Sequence, residues 1–326
     1  MAIKGRSMLV VLGIVVFGLV FASGMVSASD NFTVGISQLV EHPALDSSRE
    51  GFITGLEESG FIEGENIEFT VENAQGDMST AQTIAQKFQN ENPDLVLAIA
   101  TPAAQAAANV IKDIPVLITA VTDPEEAGLV ENMDDPGGNL TGTTDMNPIH
   151  DQFSLIEDFM PEAESVGIIY NSGEVNSVVQ KEIAEEAAEV IGVELVEATA
   201  TDTSEVQLAA SSLAGDVDAV YLPTDNTVAS ALPSILDSAH QEGIPVFASE
   251  GAMVEQGAVA TKGIDYFELG RKTGQMAAEV LEGTEPSELA IAGADNLNIS
   301  VNKSTAEELG LEIPEDVLQE AEQVIE

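Results

Sequence analysis

Short apolar runs alternate along the chain with longer stretches whose apolar positions recur three and four residues apart. The first pattern predicts strands buried on both faces, the second amphipathic helices. Phe32 to Ile36 reads as a strand, and a helix over 46–59 follows it, with Phe52 and Leu56 on one face. Strand–helix pairs then repeat: 66–71 with 79–90, 95–99 with 101–111, and 115–119 with 124–131. Asp135-Pro136-Gly137-Gly138 interrupts the series, and 140–144 reads as a short extended piece. The pattern then restarts, with strands at 166–170, 193–197, 218–222 and 245–248 and helices at 176–191, 204–213 and 226–241. An extended piece at 258–264, a helix at 266–282, a strand at 298–301 and a short helix at 303–309 complete it.

Strands alternating with helices predict mostly parallel sheets covered on both faces. The restart predicts two similar α/β lobes, each of ordinary domain size. The break at 135–147 reads as a hinge, and 258–264 and 298–301 as further passages between the lobes. Lobe 1 is expected over 32–144 plus 266–297, and lobe 2 over 145–265 plus 298–326.

The amino terminus stands apart from this pattern. Lys4 and Arg6 precede an uncharged apolar run at 8–22, and small residues end in Val26-Ser27-Ala28. That order predicts a secretory signal peptide over 1–28, with an uncleaved anchor as its rival. The remainder is expected outside the cytoplasmic membrane, on its periplasmic or extracellular face.

Composition narrows the function. Aspartate and glutamate total 57 against 10 lysines and arginines, for a net charge of −47, so a basic face for nucleic acid or an anionic membrane is excluded. With 44% hydrophobic residues and a mean hydropathy of +0.12, the chain still has the means to build a core. The acid excess runs through the whole sequence and points to very salty surroundings, where ions screen the self-repulsion. There is no cysteine, which removes thiolate chemistry and cysteine-ligated metals, and His42, His150 and His240 have no ligand spacing. No glycine-rich nucleotide loop, G-x-S-x-G elbow, HExxH or EF-hand loop is present. Binding without catalysis, cofactor or metal is the simpler account.

Ligands of open parallel sheets sit outside the carboxyl ends of the strands. Those ends carry Ser37 and Gln38, then Thr101-Pro102-Ala103-Ala104, then Thr122 and Asp123. In the second half they carry Tyr170, Asn171 and Asn176, then Asp225 and Asn226, and finally Asp265. Thr101 suits a helix N-cap and Pro102 the first helical position, so the amides there could receive a carboxylate without any arginine. Asp225 and Asp265 are the best acids for holding an ammonium. Tyr170 and Tyr221 could face an apolar ligand part or belong to the core. His42 reads as an ordinary loop residue.

Several stretches together carry a resemblance: VGISQLVEHPALD at 34–46, NAQGD at 73–77, AIATPAAQ at 98–105, AVTDPEEAGLV at 120–130, YNSGEVNS at 170–177 and YLPTDN at 221–226. The sequence resembles the solute-binding proteins of ABC-type uptake systems, in the TrpX-type branch that binds tryptophan and other amino acids. The resemblance covers nearly all of 32–310. It implies a periplasmic-binding-protein-like fold of type I, two lobes joined by three crossings. It also implies a monomer that closes on a small solute, an amino acid, and hands it to a membrane permease. On the residues matched, it implies that Ser37, Gln38, Thr101, Thr122, Asp123, Asn171, Asn176, Asp225, Asn226 and Asp265 surround the solute, with Thr101 and the amides at 102–104 toward its carboxylate. The lipid-attachment cysteine common among such proteins is missing. A ligand sensor feeding a membrane receptor is the alternative function, and an exported enzyme the third.

Overall fold

The structure is a computed structural model, and it describes residues 31–326. The expected signal segment lies outside the described residues. The first sheet is built from β1 (Phe32–Gln38), β2 (Ile67–Asn73), β3 (Leu95–Ile99), β4 (Val116–Val121) and β5 (Leu140–Thr144). Its order is β2-β1-β3-β4-β5, and every pairing is parallel. Right-handed crossovers through α1 (Pro43–Glu58), α2 (Met78–Glu91) and α3 (Thr101–Val110) are what such an order requires. β3 and β4 are buried along their full length, as befits central strands covered on both faces.

The second half repeats the plan. After α4 (Ile149–Phe159) come β6 (Ser165–Tyr170), α5 (Val175–Ile191), β7 (Glu194–Thr199), α6 (Thr203–Leu213) and β8 (Ala219–Leu222). Two short helices, α7 (Asn226–Ser230) and α8 (Leu232–Gln241), lead to β9 (Val246–Ala248). This sheet runs β7-β6-β8-β9, again parallel throughout. Then come α9 (Gly251–Glu255), β10 (Ala260–Ile264) and α10 (Tyr266–Leu281). β11 (Leu297–Asn302), α11 (Lys303–Glu308), α12 (Glu315–Glu320) and β12 (Gln323–Ile325) end the chain. β10 and β11 pair antiparallel, and β12 joins β11 in parallel.

Two helical expectations need correction. No helix forms over 124–131, only turns, because Gly128 takes a positive φ of 70° and the Asp123 side chain caps just the amides of Glu125 and Glu126. The helix expected over 226–241 breaks at Ala231. Pro233 has no amide hydrogen to continue the ladder, so α8 starts afresh with the proline in its first turn. The strand β12 and the helix α12 beyond 309 were not expected at all.

Apolar side chains gather in separate cores. Those between Val34 and Leu140 pack with Ile264, Tyr266, Leu269, Ala277 and Ile291. Those between Ile149 and Ala260 form two further clusters, one of which takes in Ile299, Val301, Ala306 and Val317. The chain therefore passes from one set of cores to the other near 144–149, near 264 and between 291 and 299. Helix α10 is fixed to the first core by four glycines. Gly51 and Gly55 of α1 face Gly270 and Gly274 of α10 so closely that a Cβ on any of them would lie 2.0–2.1 Å from a backbone oxygen of the other helix.

Candidate functional site

The carboxyl ends of the first two sheets face a shared cavity. His42, Leu45, Ala120 and Thr122 line it from the first side, and Asn176, Thr224, Asp225, Asn226, Ala229 and Glu250 from the second. Asp145 and Tyr266 complete the wall from the connecting segments themselves. The space inside is about 10 Å³, scarcely the room of one water molecule. An amino-acid-sized solute enters only if the two sides part. His42 Nε2 meets Asn226 Oδ1 across the gap at 3.4 Å.

The wall is acidic. Asp145, Asp225 and Glu250 are each buried to within 3% of full enclosure, and no lysine or arginine among the described residues lines the cavity. Asp145 follows β5, where the first passage begins. Its Oδ2 accepts a hydrogen bond from the Tyr266 hydroxyl at 2.8 Å, which ties the first passage to the start of α10. Its Oδ1 has no hydrogen-bond partner. Thr122 stands beside that carboxylate and acts to lower its pKa, as does the Tyr266 bond, without closing a bond on Oδ1. Burial wins, and the Asp145 pKa is raised. Glu250 occupies the N-cap position of α9 but its side chain makes no cap bond, and Oε2 is unpartnered. Burial, reinforced by the charge of Asp145, pushes Glu250 up to about 8.

Asp225 is differently employed. It accepts from the amides of Asn171 (2.6 Å) and Val228 (2.9 Å) and from Ser177 Oγ (2.6 Å), so it caps α7 and ties down the loop after β6. Glu174 lies behind it, holding Asn226 Nδ2 at 2.9 Å and Asn171 Nδ2 at 3.1 Å. Burial raises the pKa of both acids, and for Glu174 the charge of Asp225 adds to it. His42 is pushed down to about 4 by burial, against the opposing effect of Asn226 and Asp46, so its ring is neutral. Its Nδ1 has no partner.

Thr122, Asn176, Asp225 and Asn226 among the expected site residues line this cavity; the others do not. Gln38 spends its amide within the first lobe, donating to Val40 O and Asp46 Oδ1 and accepting from Arg49. Ser37 is buried beside it in β1. Thr101, Pro102, Ala103 and Ala104 are buried at the start of α3, at the end of β3. Ala100, at a φ of 82°, takes the N-cap position expected of Thr101, and no side chain caps the helix. Asp123 caps a turn. Tyr170 turns its hydroxyl to Glu197 on β7, and Asn171 holds Gly173, Glu174 and Thr227. Asp265 spends its Oδ1 on the amides of Phe267 and Glu268, capping α10. Tyr221 is in the core, its hydroxyl on Gln152. Sequence reasoning read His42 as an ordinary loop residue, did not place Glu250 in the site, and did not reach Asp145 or Tyr266 at all.

Two α/β lobes with a polar cavity between them, crossed by the connecting segments, suit a protein that closes around a small molecule. The family model for ABC transporter substrate-binding proteins matches residues 33–325. The chain belongs to that family. It is an extracytoplasmic solute-binding protein, not an enzyme, and it serves an ABC permease. The tyrosine-binding protein of Clostridioides difficile is 45% identical over 279 residues, covering 86% of this chain and 81% of that protein. The Streptococcus pneumoniae ABC domain in complex with L-Trp is 38% identical, with a TM-score of 0.88 over 91% of this chain and 100% of the other. The ligand-free, open structure of a substrate-binding protein with adhesive properties from Clostridium difficile is 46% identical over 90% of this chain and 99% of that one, yet its TM-score is 0.70. The more similar sequence has the less similar shape. In overall shape this structure is nearer to the L-Trp complex than to the ligand-free, open structure.

Proposed function

We propose that this solute-binding protein carries an aromatic amino acid between lobes made of 32–144 plus 266–297 and 145–265 plus 298–326. The single observation that carries the reading is the pair of unpartnered carboxylate oxygens, Asp145 Oδ1 and Glu250 Oε2, buried in a cavity without a lysine or arginine. Buried acids of that kind call for a cation that brings its own hydrogen-bond donors, and an ammonium does both. His42 Nδ1 is also unpartnered, and because Nε2 donates to Asn226 Oδ1 in a neutral ring, Nδ1 offers an acceptor. Leu45, Ala120, Ala229 and the Tyr266 ring offer an apolar wall for a side chain. With the lobes apart, the start of α3 receives the carboxylate through the amides of Thr101 and Ala103, since Pro102 has none and that of Ala104 is bonded to Ala100 O. The names of the tyrosine-binding relative and of the L-Trp complex support an aromatic side chain.

A ligand that prefers the closed form draws the population toward it, which is the state a permease can distinguish. Calorimetry with the twenty amino acids in concentrated salt tests the reading. Tyrosine or tryptophan is expected to bind with a Kd near 1 μM, about −8 kcal/mol. Failure of all twenty to bind would overturn it.

A further inference from the structure

Four asparagines stand two residues before a serine or threonine with no proline between: Asn31, Asn139, Asn298 and Asn302. In an exported chain this is the acceptor pattern for an N-linked glycan, a bulky group that only an amide with open space before it can carry. The fold separates the four. Asn139 Nδ2 donates to Ile114 O at 2.6 Å and Ile111 O at 3.3 Å, and Thr141, the hydroxyl of its triplet, is fully buried with Oγ1 on Leu289 O. Asn302 is buried too. Its Nδ2 donates to Val254 O at 2.9 Å and its Oδ1 caps α11 through the amide of Thr305. A sugar on either of these amides would break a bond in the interior. Asn31 is exposed, with one bond to Glu68 at 3.2 Å, but it stands only three residues beyond the expected end of the signal peptide.

Asn298 is placed differently. It lies in the third passage between the lobes, near the start of β11, half-buried, and its side chain makes no hydrogen bond with another described residue. Residues directly opposite on antiparallel strands share a face, and the residue opposite Asn298 is Gly263, which has no side chain to cover it. β12 joins β11 only from Ser300 onward, so no strand flanks Asn298 on the other side. The asparagine lines two cavities of about 250 Å³ each, where the solute cavity has about 10 Å³. Ser47, Glu255 and Asp265 stand in the wall of one, and Arg271, Lys272 and Gln275 in the wall of the other. Carboxylates and hydroxyls accept, and amides, ammonium and guanidinium donate, so both walls suit sugar hydroxyls, which do both.

We infer that Asn298 carries an N-linked glycan whose first sugar rests against these two cavities. The inference does not depend on which solute the protein binds. Transfer joins Asn298 Nδ2 to the anomeric carbon of a sugar carried on a lipid phosphate. The bond from that carbon to the phosphate oxygen breaks, the lipid phosphate leaves with the electron pair, and the amide loses one proton. Ser300, the hydroxyl of this triplet, is 3% exposed and lies 3.3 Å from Gln323 Oε1. Transfer therefore belongs to the exported chain before β12 pairs with β11. The seated sugar then covers the open end of the β10–β11 pair, and local opening of that pair becomes less frequent.

Peptide mapping by mass spectrometry of the folded protein, purified from its native host, tests the assignment. The peptide that contains Asn298 is expected to carry the added mass of a glycan, and the peptides that contain Asn139 and Asn302 to carry none. Asn298→Gln, made in the same host, should lose that mass. Hydrogen exchange should be slower over 260–264 and 297–299 in the glycosylated protein than in the variant. An unmodified Asn298, whatever Asn31 carries, would overturn the inference, and so would a glycan on Asn139 or Asn302. Equal exchange with and without the glycan would overturn its seating against the cavities. If Asn298→Gln does not fold, the wild-type map and exchange before and after enzymatic release of the glycan decide.

Discussion

The glycine seam between α1 and α10 gives a prediction whose sign, as well as its size, is fixed by the structure. Gly51→Ala puts a methyl 2.0 Å from the carbonyl oxygen of Phe267, where ordinary contact begins at about 3.4 Å. The obstacle is backbone, so no rotamer change relieves it and the two helices must move apart. Overpacking of this kind costs about 1–3 kcal/mol, and a rigid backbone-to-backbone clash belongs at the upper end. Were the helix face free, the same substitution would stabilise by about 1 kcal/mol through helix propensity. For a domain of this size about 2 °C of melting temperature corresponds to 1 kcal/mol. The seam thus predicts a fall of about 6 °C, where an open face would give a rise of about 2 °C. Thermal unfolding followed by circular dichroism in concentrated salt measures it. Gly293→Ala is the control, since the nearest side-chain atom its methyl would meet, Thr144 Cγ2, is 4.0 Å away. Phe267 adjoins Tyr266, so moving this end of α10 also strains the 2.8 Å bond to Asp145, and Gly51→Ala should weaken solute binding as well. Gly274→Ala, which meets Phe52 O two turns further along α10, should lower the melting temperature with a smaller effect on binding. A melting temperature for Gly51→Ala equal to or above wild type would refute the close-contact account.

Asp225→Ala should destabilise the fold by about 3 kcal/mol or more, because it leaves two amides and a hydroxyl in the interior without their acceptor. A denaturant midpoint equal to wild type would show that these donors find other partners. The net charge of −47 should make the melting temperature climb as potassium chloride rises from about 0.01 M to 1 M, over which the screening length falls from about 30 Å to 3 Å. A melting temperature indifferent to salt would remove the case for adaptation to brine.

The alternation of strands and helices was legible because each element is long enough to show its period. Phe52 and Leu56 mark the buried face of α1, and the apolar run at 95–99 is a central strand. The errors came where local chemistry overrides periodicity. Pro233 splits a stretch whose apolar spacing reads as one helix, and Gly128 turns another out of helical geometry. Glycines four apart at 51–55 and 270–274 were visible too, but their meaning depends on which helices meet, and that is a tertiary fact.

The site was legible in part for a related reason. Listing strand ends reached Thr122, Asn176, Asp225 and Asn226, which do line the cavity. It ranked acids by position, and in a chain with 57 of them position alone does not separate a cap from an orphan. Asp225 and Asp265 both proved to be helix caps, whereas Asp145 and Glu250, with no special sequence mark, hold the unsatisfied oxygens. The discrimination lies in desolvation and in hydrogen bonds across distant segments, such as Tyr266 to Asp145 over 121 residues.

That bond also joins the site to the moving parts. Asp145 lies in the first passage between lobes and Tyr266 begins the helix after the second, so this part of the cavity wall belongs to the connecting segments themselves. A carboxylate placed on a rigid sheet would report only occupancy. Placed on the hinge, it changes its exposure with every degree of closure, and its electrostatic cost changes with it.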